Sequence, residues 1–270
     1  GKNFGISDLI KKDFIASRIG EGNSGISYAE FSYTLLQGMD YLHLFDNEEA
    51  TLQIGGSDQW GNCISGVGLI RRVRSQEVHA LSHILVVNKT TGRKFGKSEE
   101  GAIWLDAKKT SVFQFYQFWL NLDDESIGDY IKIYTEIMPE KFDKLMADFE
   151  ADKGSRKAQK YLAYEVTKLV HGEDKAKSAY RVTEVLFGST DVSELSVTEL
   201  EMLAREIPTT KAGVLSDVLV MSKTASSNND ARRLISAGAI SINGEKVSKS
   251  TDVQSPTLVK KGKNSFVLVK

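Results

Sequence analysis

Thr51-Leu52-Gln53-Ile54-Gly55-Gly56-Ser57-Asp58-Gln59-Trp60-Gly61-Asn62 is the stretch that decides the fold. Thr51–Ile54 reads as a short strand and the two glycines as a turn. The run Ile64-Ser65-Gly66-Val67-Gly68-Leu69-Ile70 then begins an apolar, helix-like segment. Strand, glycine turn and helix is the order in which backbone amides and a helix N-terminus meet a ligand at the carboxyl edge of a parallel sheet. Without side chains, Gly55 and Gly56 would allow close approach. Asp58 can accept hydrogen bonds from ribose hydroxyls, and Gln59 can donate to a carboxylate or phosphate oxygen. Taken alone, the same residues also suit a plain capped strand-to-helix turn.

Downstream, Lys94-Phe95-Gly96-Lys97-Ser98 follows the strand-like apolar run His83-Ile84-Leu85-Val86-Val87. Two lysines around a glycine, with a hydroxyl after them, can fold against a polyphosphate. An ordinary P-loop is excluded by spacing: the required first glycine would fall at Thr91, and Gly92 is one place off. A solvated turn is the plain alternative. Upstream, on a helical wheel over Ala29–Phe45, Tyr33, Gln37 and Asp40 fall within about 60° of one another, with Phe31, Leu35 and Leu42 opposite. One phenol, one amide and one carboxylate on a single face suit a small zwitterion with a polar side chain. A merely polar surface stripe is the competing reading.

Composition bounds the rest. A chain of 270 residues is expected to hold two or three domains, and 41% hydrophobic content supports real cores. The single cysteine, Cys63, excludes an intrachain disulfide and a cysteine-cluster metal site, and suits a small buried apolar residue. No apolar run reaches membrane-spanning length, and the start Gly1-Lys2-Asn3-Phe4 opens no signal peptide. A cytoplasmic location is expected, with the mitochondrial matrix as the alternative. Charge is uneven. Residues 209–270 hold ten Lys or Arg against four Asp or Glu, while residues 1–208 hold 25 against 32. A basic terminal region on an acidic body points to an anionic polymer as partner.

Three regions are expected. Residues 1–110 mix glycine-turned strands with helices. Residues 111–207 read as helices, with Ser155 as an N-cap, Leu162, Val166 and Leu169 at helical spacing, and Gly172 as a stop. Residues 208–270 carry a basic helix from Asn228 ended by Gly238, then a hairpin over Ile240–Val247 turned by Asn243-Gly244.

The segments Phe31–Asp40, Leu52–Asn62 and Lys94–Ser98, in that order and at close to these spacings, resemble bacterial-type tyrosyl-tRNA synthetase. The resemblance continues through Leu162–Gly172 to the end of the chain. It implies an α/β fold: the second half of a Rossmann-type catalytic domain, an α-helical domain, and a small α+β domain similar to the αL RNA-binding fold. The histidine signature of the family's first half does not occur among His43, His79, His83 and His171. The chain is therefore expected to lack that half.

The resemblance implies tyrosine–tRNA ligase chemistry. Tyrosine carboxylate attacks the α-phosphate of ATP, and the tyrosyl group then passes to a ribose hydroxyl of tRNA(Tyr). Lys94 and Lys97, with Gly96 and Ser98 in the loop, would meet the polyphosphate and stabilise the departing pyrophosphate. Tyr33 and Gln37 would hold the substrate ammonium, Asp40 the phenol, and Gln53 would orient this group. Gly55, Gly56 and Asp58 would meet the nucleotide, and Gln59 the reacting carboxylate. Lys223, Arg232, Arg233 and Lys246 would contact RNA phosphates. Mg²⁺ enters with ATP, no tightly bound cofactor or protein metal site is expected, and the complete enzyme is expected to be a homodimer. The alternative is a catalytically incomplete fragment that serves as an RNA-binding or splicing module. By itself the chain is expected to bind tRNA without forming tyrosyl-adenylate.

Overall fold

The computed structural model describes residues 1–19, 22, 25–87, 89–90 and 103–270. The chain divides into two compact units, Gly1–Val87 and Asn88–Lys270. In the first, α1 (Ile6–Ile10), α2 (Asp13–Ile19) and α3 (Tyr28–Glu48) precede β1 (Leu52–Gly56), α4 (Trp60–Arg74) and β2 (His79–His83). β1 and β2 pair in parallel, from Leu52 opposite His79 to Gly56 opposite His83, with α4 as the connection. Parallel neighbours need such a crossover, and this is α/β structure. The second strand lies earlier than the apolar run His83–Val87 suggested. Its register is set by β1, whose end at Gly56 leaves Ile84, Leu85 and Val86 beyond the ladder.

Helix α3 starts where Ser27 caps it. The Glu30 amide donates to Ser27 Oγ at 3.2 Å, and the Ser27 amide donates to the Glu30 carboxylate at 3.0 Å. This reciprocal box satisfies two amides that the first turn leaves unpaired. It also holds the Glu30 carboxyl below its ordinary range, the Ser27 backbone amide contributing most.

The line that α3 buries is not the expected Phe31–Leu35–Leu42 stripe. Thr34, Gly38, Tyr41 and Leu42 are buried, whereas Phe31 and Leu35 are half-buried. The buried line falls between the apolar and polar stripes, because small residues there let α4 come close. A Cβ on Gly38 would stand 3.5 Å from the Gly66 nitrogen, and one on Gly66 would stand 2.7 Å from Tyr41 Cδ1. Tyr41 lies over Gly66 and donates its hydroxyl to the His79 carbonyl at 2.8 Å, so one side chain ties α3, α4 and β2 together. Leu69, Ile70 and Val78 complete this core. Arg74 forks onto Asp46 at 2.8 and 2.7 Å and joins the far ends of the two helices.

The second unit begins with helices: α5 (Val112–Leu120), α6 (Ile127–Tyr134), α7 (Pro139–Ala151), α8 (Lys157–His171), α9 (Glu173–Phe187) and α10 (Val197–Glu206). The start of α8 corrects the sequence reading. Its N-cap is Arg156, in the left-handed region at φ 52°, while the Ser155 amide donates to Asp152 Oδ1 within the preceding turn. Leu162 and Val166 are buried, but Leu169 is 76% exposed, because the buried side turns towards Gln159, Ala163 and Thr167. Gly172 closes the helix at φ 91°, as expected.

There follow β3 (Thr209–Thr210), β4 (Gly213–Val214), α11 (Leu215–Met221), α12 (Asn228–Ser236), β5 (Ile240–Ile242), β6 (Glu245–Val247), β7 (Asp252–Val253), β8 (Thr257–Lys261) and β9 (Ser265–Val269). The larger sheet has the order β3-β9-β8-β5-β6. The expected hairpin joins β5 to β6 through Asn243 at φ 46° and Gly244 at φ 90°, the two positive values that such a turn needs. Asn243 Oδ1 also accepts the Leu258 amide at 2.9 Å, which pins the turn to β8. Side chains along β8 and β9 alternate between two cores. Leu258, Phe266 and Leu268 join Phe113, Val182, Leu186 and Leu203 of the helical segment. Val259, Val267 and Val269 join Leu215, Leu219, Ala231 and Ile235 of α11 and α12. Period-two alternation thus gives one hairpin to two hydrophobic cores.

The contact at Gly66 sets a test. Gly66→Ala should destabilise the chain by about 1–3 kcal/mol, the usual cost of overpacking a filled site. Gly68, on the same helix, has open space around it, so Gly68→Ala should be neutral or stabilising. Urea unfolding of the two variants checks this, and equal midpoints would refute the close crossing.

Candidate functional site

In the first unit a polar cluster forms where β1 ends and α4 begins. Ser57–Gln59 makes one tight turn between them, so the chain reverses within three residues of the strand. The glycines permit that reversal. A Cβ on Gly55 would lie 3.1 Å from Gln59 Cβ and 3.4 Å from Cys63 Sγ. A Cβ on Gly56 would lie 2.7 Å from Asp58 Oδ1 and 3.1 Å from Leu85 Cδ2. The absent side chains thus make room for Gln59, Cys63 and Asp58, whatever approaches from outside.

Gln59 is half-buried, and its Oε1 accepts the Asn62 side-chain amide at 3.1 Å. Asn62 Oδ1 in turn accepts the hydroxyl of fully buried Thr34 at 2.8 Å. One turn further along α3, Gln37 Nε2 reaches Cys63 Sγ at 3.9 Å. These contacts bring Gln37 and Gln59 to the same α3–α4 seam, with Gly55 beneath. Tyr33 and Asp40 stay on the exposed side of α3, Tyr33 at 58% exposure. Gln53 points inward from β1, and its Oε1 is buried without a hydrogen-bond partner among the described residues. Asp58 is exposed on the rim of a cavity of about 390 Å³, lined also by Lys11, Lys12, Ser57, Trp60 and Ile64. Burial pushes the Cys63 thiol up from its ordinary pKa, so it stays protonated at neutral pH. Lys94, Gly96, Lys97 and Ser98 lie outside the described residues.

Thr34, Asn62 and Lys12 belong to this site without standing out in the sequence. Asn62 had a local signal: it stands one helical turn after Gln59, at a spacing where side chains meet. Lys12 had none. Its ammonium group binds the Gly61 carbonyl and the Ser65 hydroxyl, far along the chain, and burial lowers its pKa.

The second unit carries the basic surface. Ser227 caps α12 by accepting the Asp230 amide at 3.2 Å. Arg232 is exposed, whereas Arg233 donates to Asp230 Oδ1 at 2.8 Å. The Asp230 carboxyl is held below its ordinary range, first by the Ser226 backbone amide and then by Arg233. Lys246 is exposed on β6, and Lys223 sits in the left-handed region at φ 60° after α11. Between the helical segment and the β8–β9 hairpin lies a cavity of about 700 Å³, lined among others by Gln117, Asn121, Arg156, Phe187, Asn264 and Phe266. Phe187 and Phe266 meet edge to face at 5.5 Å between ring centroids. Arg156 donates to the Leu120 and Leu122 carbonyls, and its Nε is buried without a partner among the described residues.

Residues 1–188 match the family described as tRNA synthetases class I (W and Y). Residues 199–270 match the tyrosine--tRNA ligase SYY-like C-terminal domain. Tyrosine--tRNA ligase 2 of Bacillus cereus (strain ATCC 10987 / NRS 248) is 43% identical over 283 aligned residues, which cover all of this chain and 67% of the relative. Tyrosine--tRNA ligase 1 of Bacillus licheniformis is 41% identical, with 66% of its length covered. The chain thus spans about two thirds of the length of these relatives. Among solved structures, a C-terminally truncated mitochondrial tyrosyl-tRNA synthetase of Aspergillus nidulans superposes with a TM-score of 0.51 at 30% identity, over 68% of this chain and 52% of the other. The corresponding Coccidioides posadasii structure also gives 0.51, at 27% identity, over 67% and 51%.

The packing at Gly55 can be read through Cys63, the only cysteine. Gly55→Ala should push the start of α4 off β1 and expose the thiol. Its reaction with an aromatic disulfide reagent should then run several-fold faster than in the parent chain. An unchanged rate would mean that Gly55 does not hold this seam closed.

Proposed function

Because this chain belongs to the tyrosyl-tRNA synthetase family of class I aminoacyl-tRNA synthetases, we propose that it works as a tyrosine–tRNA ligase. The observation that carries this reading is the seam between α3 and the β1–α4 turn, where Gln37 reaches Cys63, Gln59 is held by Asn62, and Gly55 leaves room for Gln59 and Cys63. Its polar groups suit a zwitterion whose carboxylate must react. Gln59 donates to the tyrosine carboxylate as it attacks the α-phosphate of ATP. Gln37 and Tyr33 accept from the substrate ammonium. Asp40 accepts from the phenol hydroxyl, and Gln53, with its buried acceptor, orders this group. A polar partner left unpaired by phenylalanine is what rejects it, a discrimination for which this family is the standard illustration.

No protein nucleophile takes part, because the substrate carboxylate attacks directly. Catalysis is alignment plus stabilisation of charge that gathers on pyrophosphate. Asp58 meets the ribose at the rim of its cavity, and Gly55 and Gly56 keep the backbone low beneath the nucleotide. Lys94 and Lys97, with Gly96 and Ser98, supply cationic charge and polar groups to the polyphosphate. Magnesium arrives as the ATP complex. On the second unit, Arg232, Lys246, Lys223 and Arg233 contact tRNA(Tyr) phosphates. The aromatic and amide lining of the 700 Å³ cavity suits an unstacked base. Among the described residues no helix is long and apolar enough to cross a membrane, and the Bacillus relatives favour a cytoplasmic setting.

Lys97 provides the test of chemistry. Its charge acts chiefly as the pyrophosphate bond breaks, so Lys97→Ala in the full-length enzyme should slow adenylate formation about 10²-fold or more. Tyrosine affinity should hardly change. Rapid-quench measurement of tyrosyl-adenylate reads both, and a parental rate would refute the assignment.

Binding of tRNA tests the second unit. Affinity should fall steeply with salt, because phosphate contacts release counterions. Arg232→Glu should weaken binding and flatten the salt slope more than Arg233→Glu, since Arg233 already shares its charge with Asp230. Filter binding across a salt series decides it, and affinity indifferent to salt and to both changes would place the RNA surface elsewhere.

A further inference from the structure

We propose that Thr34 and Asn62 are positioning residues that fix which end of the Gln59 side-chain amide faces the reacting carboxylate. The inference rests on the reading of Gln59 just given and adds what controls it. A glutamine amide can present either a donor or an acceptor, and the two have nearly the same shape. Only the donor stabilises an approaching carboxylate or phosphate oxygen; the acceptor repels it. A site that relies on Gln59 therefore needs something behind it to set the polarity.

The chain Thr34–Asn62–Gln59 does this. Thr34 is 0% exposed and Asn62 7%, so their polar groups must be satisfied within the protein. The Thr34 hydroxyl donates to Asn62 Oδ1 at 2.8 Å. That occupies the Asn62 carbonyl and turns its NH₂ towards Gln59, where Nδ2 donates to Oε1 at 3.1 Å. With Oε1 engaged, Gln59 has its NH₂ left for the substrate. Each link fixes the next, from the buried face of α3 to the mouth of the β1–α4 turn. Thr34 also stands one residue after Tyr33 and three before Gln37. The helix that is read as holding the substrate ammonium thereby also sets the polarity of the group that meets the carboxylate.

The relay predicts an asymmetry that packing alone does not. Asn62→Asp keeps the shape but can only accept. It accepts the hydrogen bond of the Thr34 hydroxyl and also draws in the Gln59 NH₂, which leaves Oε1 facing the substrate. Thr34→Val keeps volume but removes the hydroxyl, whereas Thr34→Ser keeps it.

Two measurements decide the matter. In the ¹⁵N-labelled 270-residue chain, the Gln59 side-chain amide signal is identified by its loss in Gln59→Ala. It should shift in Thr34→Val and Asn62→Asp and stay in place in Thr34→Ser. A signal that ignores Thr34→Val overturns the relay, whatever the kinetics show. In the full-length enzyme, tyrosine-dependent ATP–pyrophosphate exchange should fall about 10²-fold in kcat with Asn62→Asp, the scale of losing one preorganised donor. Thr34→Val should cost less, Thr34→Ser almost nothing, and the KM for tyrosine should move little. In a Gln59→Ala background, Asn62→Asp should cost nothing more, since coupled residues are not additive. An undiminished loss there would overturn the proposal, because Asn62 would then act by another route. Parental exchange by Gln59→Ala, with the amide coupling intact, would instead remove Gln59 from the chemistry and the catalytic part of this inference with it.

Discussion

The close crossing of α3 and α4 is the constraint on which the first unit depends. Gly38 and Gly66 bring the helix backbones together, and Tyr41 covers the contact while bonding to β2. A glycine inside a helix costs about 0.5–1 kcal/mol relative to alanine, so each of these positions is justified by what it lets through. Here it is a polar seam narrow enough for Thr34 to reach Asn62 and for Gln37 to reach Cys63. Were the helices held apart by ordinary side chains, these groups would face gaps rather than each other.

The same economy governs the β1–α4 turn. Gly55 and Gly56 lie under Gln59, Cys63 and Asp58, and a side chain at either position would crowd these groups and make them shift. A glycine pair beside a nucleotide-like turn is usually credited to ligand approach. In this chain its first effect is internal: it sets the height of Gln59 and Asp58 over the strand. Pre-organisation of the site and packing of the fold are one problem, solved by the same two missing side chains.

Much of this was legible in the sequence. The order strand, glycine turn, helix gave the α/β class. Asn243-Gly244 gave its hairpin, because that dipeptide meets a specific backbone demand. A lone cysteine suits a small buried apolar residue, and Cys63 is buried. What failed was geometry that depends on partners. The periodicity of α3 located an apolar stripe, yet the buried line runs beside it, because backbone closeness outweighs side-chain hydrophobicity at a glycine crossing. Apolar character marks Ile84–Val86 as the strand after α4, whereas pairing with β1 selects His79–His83. Ser155 had the right chemistry for a cap but Asp152 claims its amide, and Arg156 takes the position. The Thr34–Asn62 contact joins residues on separate elements, and no local pattern announces it.

The shared hairpin has a consequence for synthesis. The helical segment places Phe113 and Val182 in a core to which Leu258, Phe266 and Leu268 of the terminal hairpin also belong. These partners emerge from the ribosome long after the helices do. Until then, α10 and the segment before it cover α5 and α9 only in part, a state in which long-range contacts are slow to form and aggregation competes. The helical segment and the terminal sheet are thus bound to a common folding deadline, and a premature stop before β8 would leave both without a finished core.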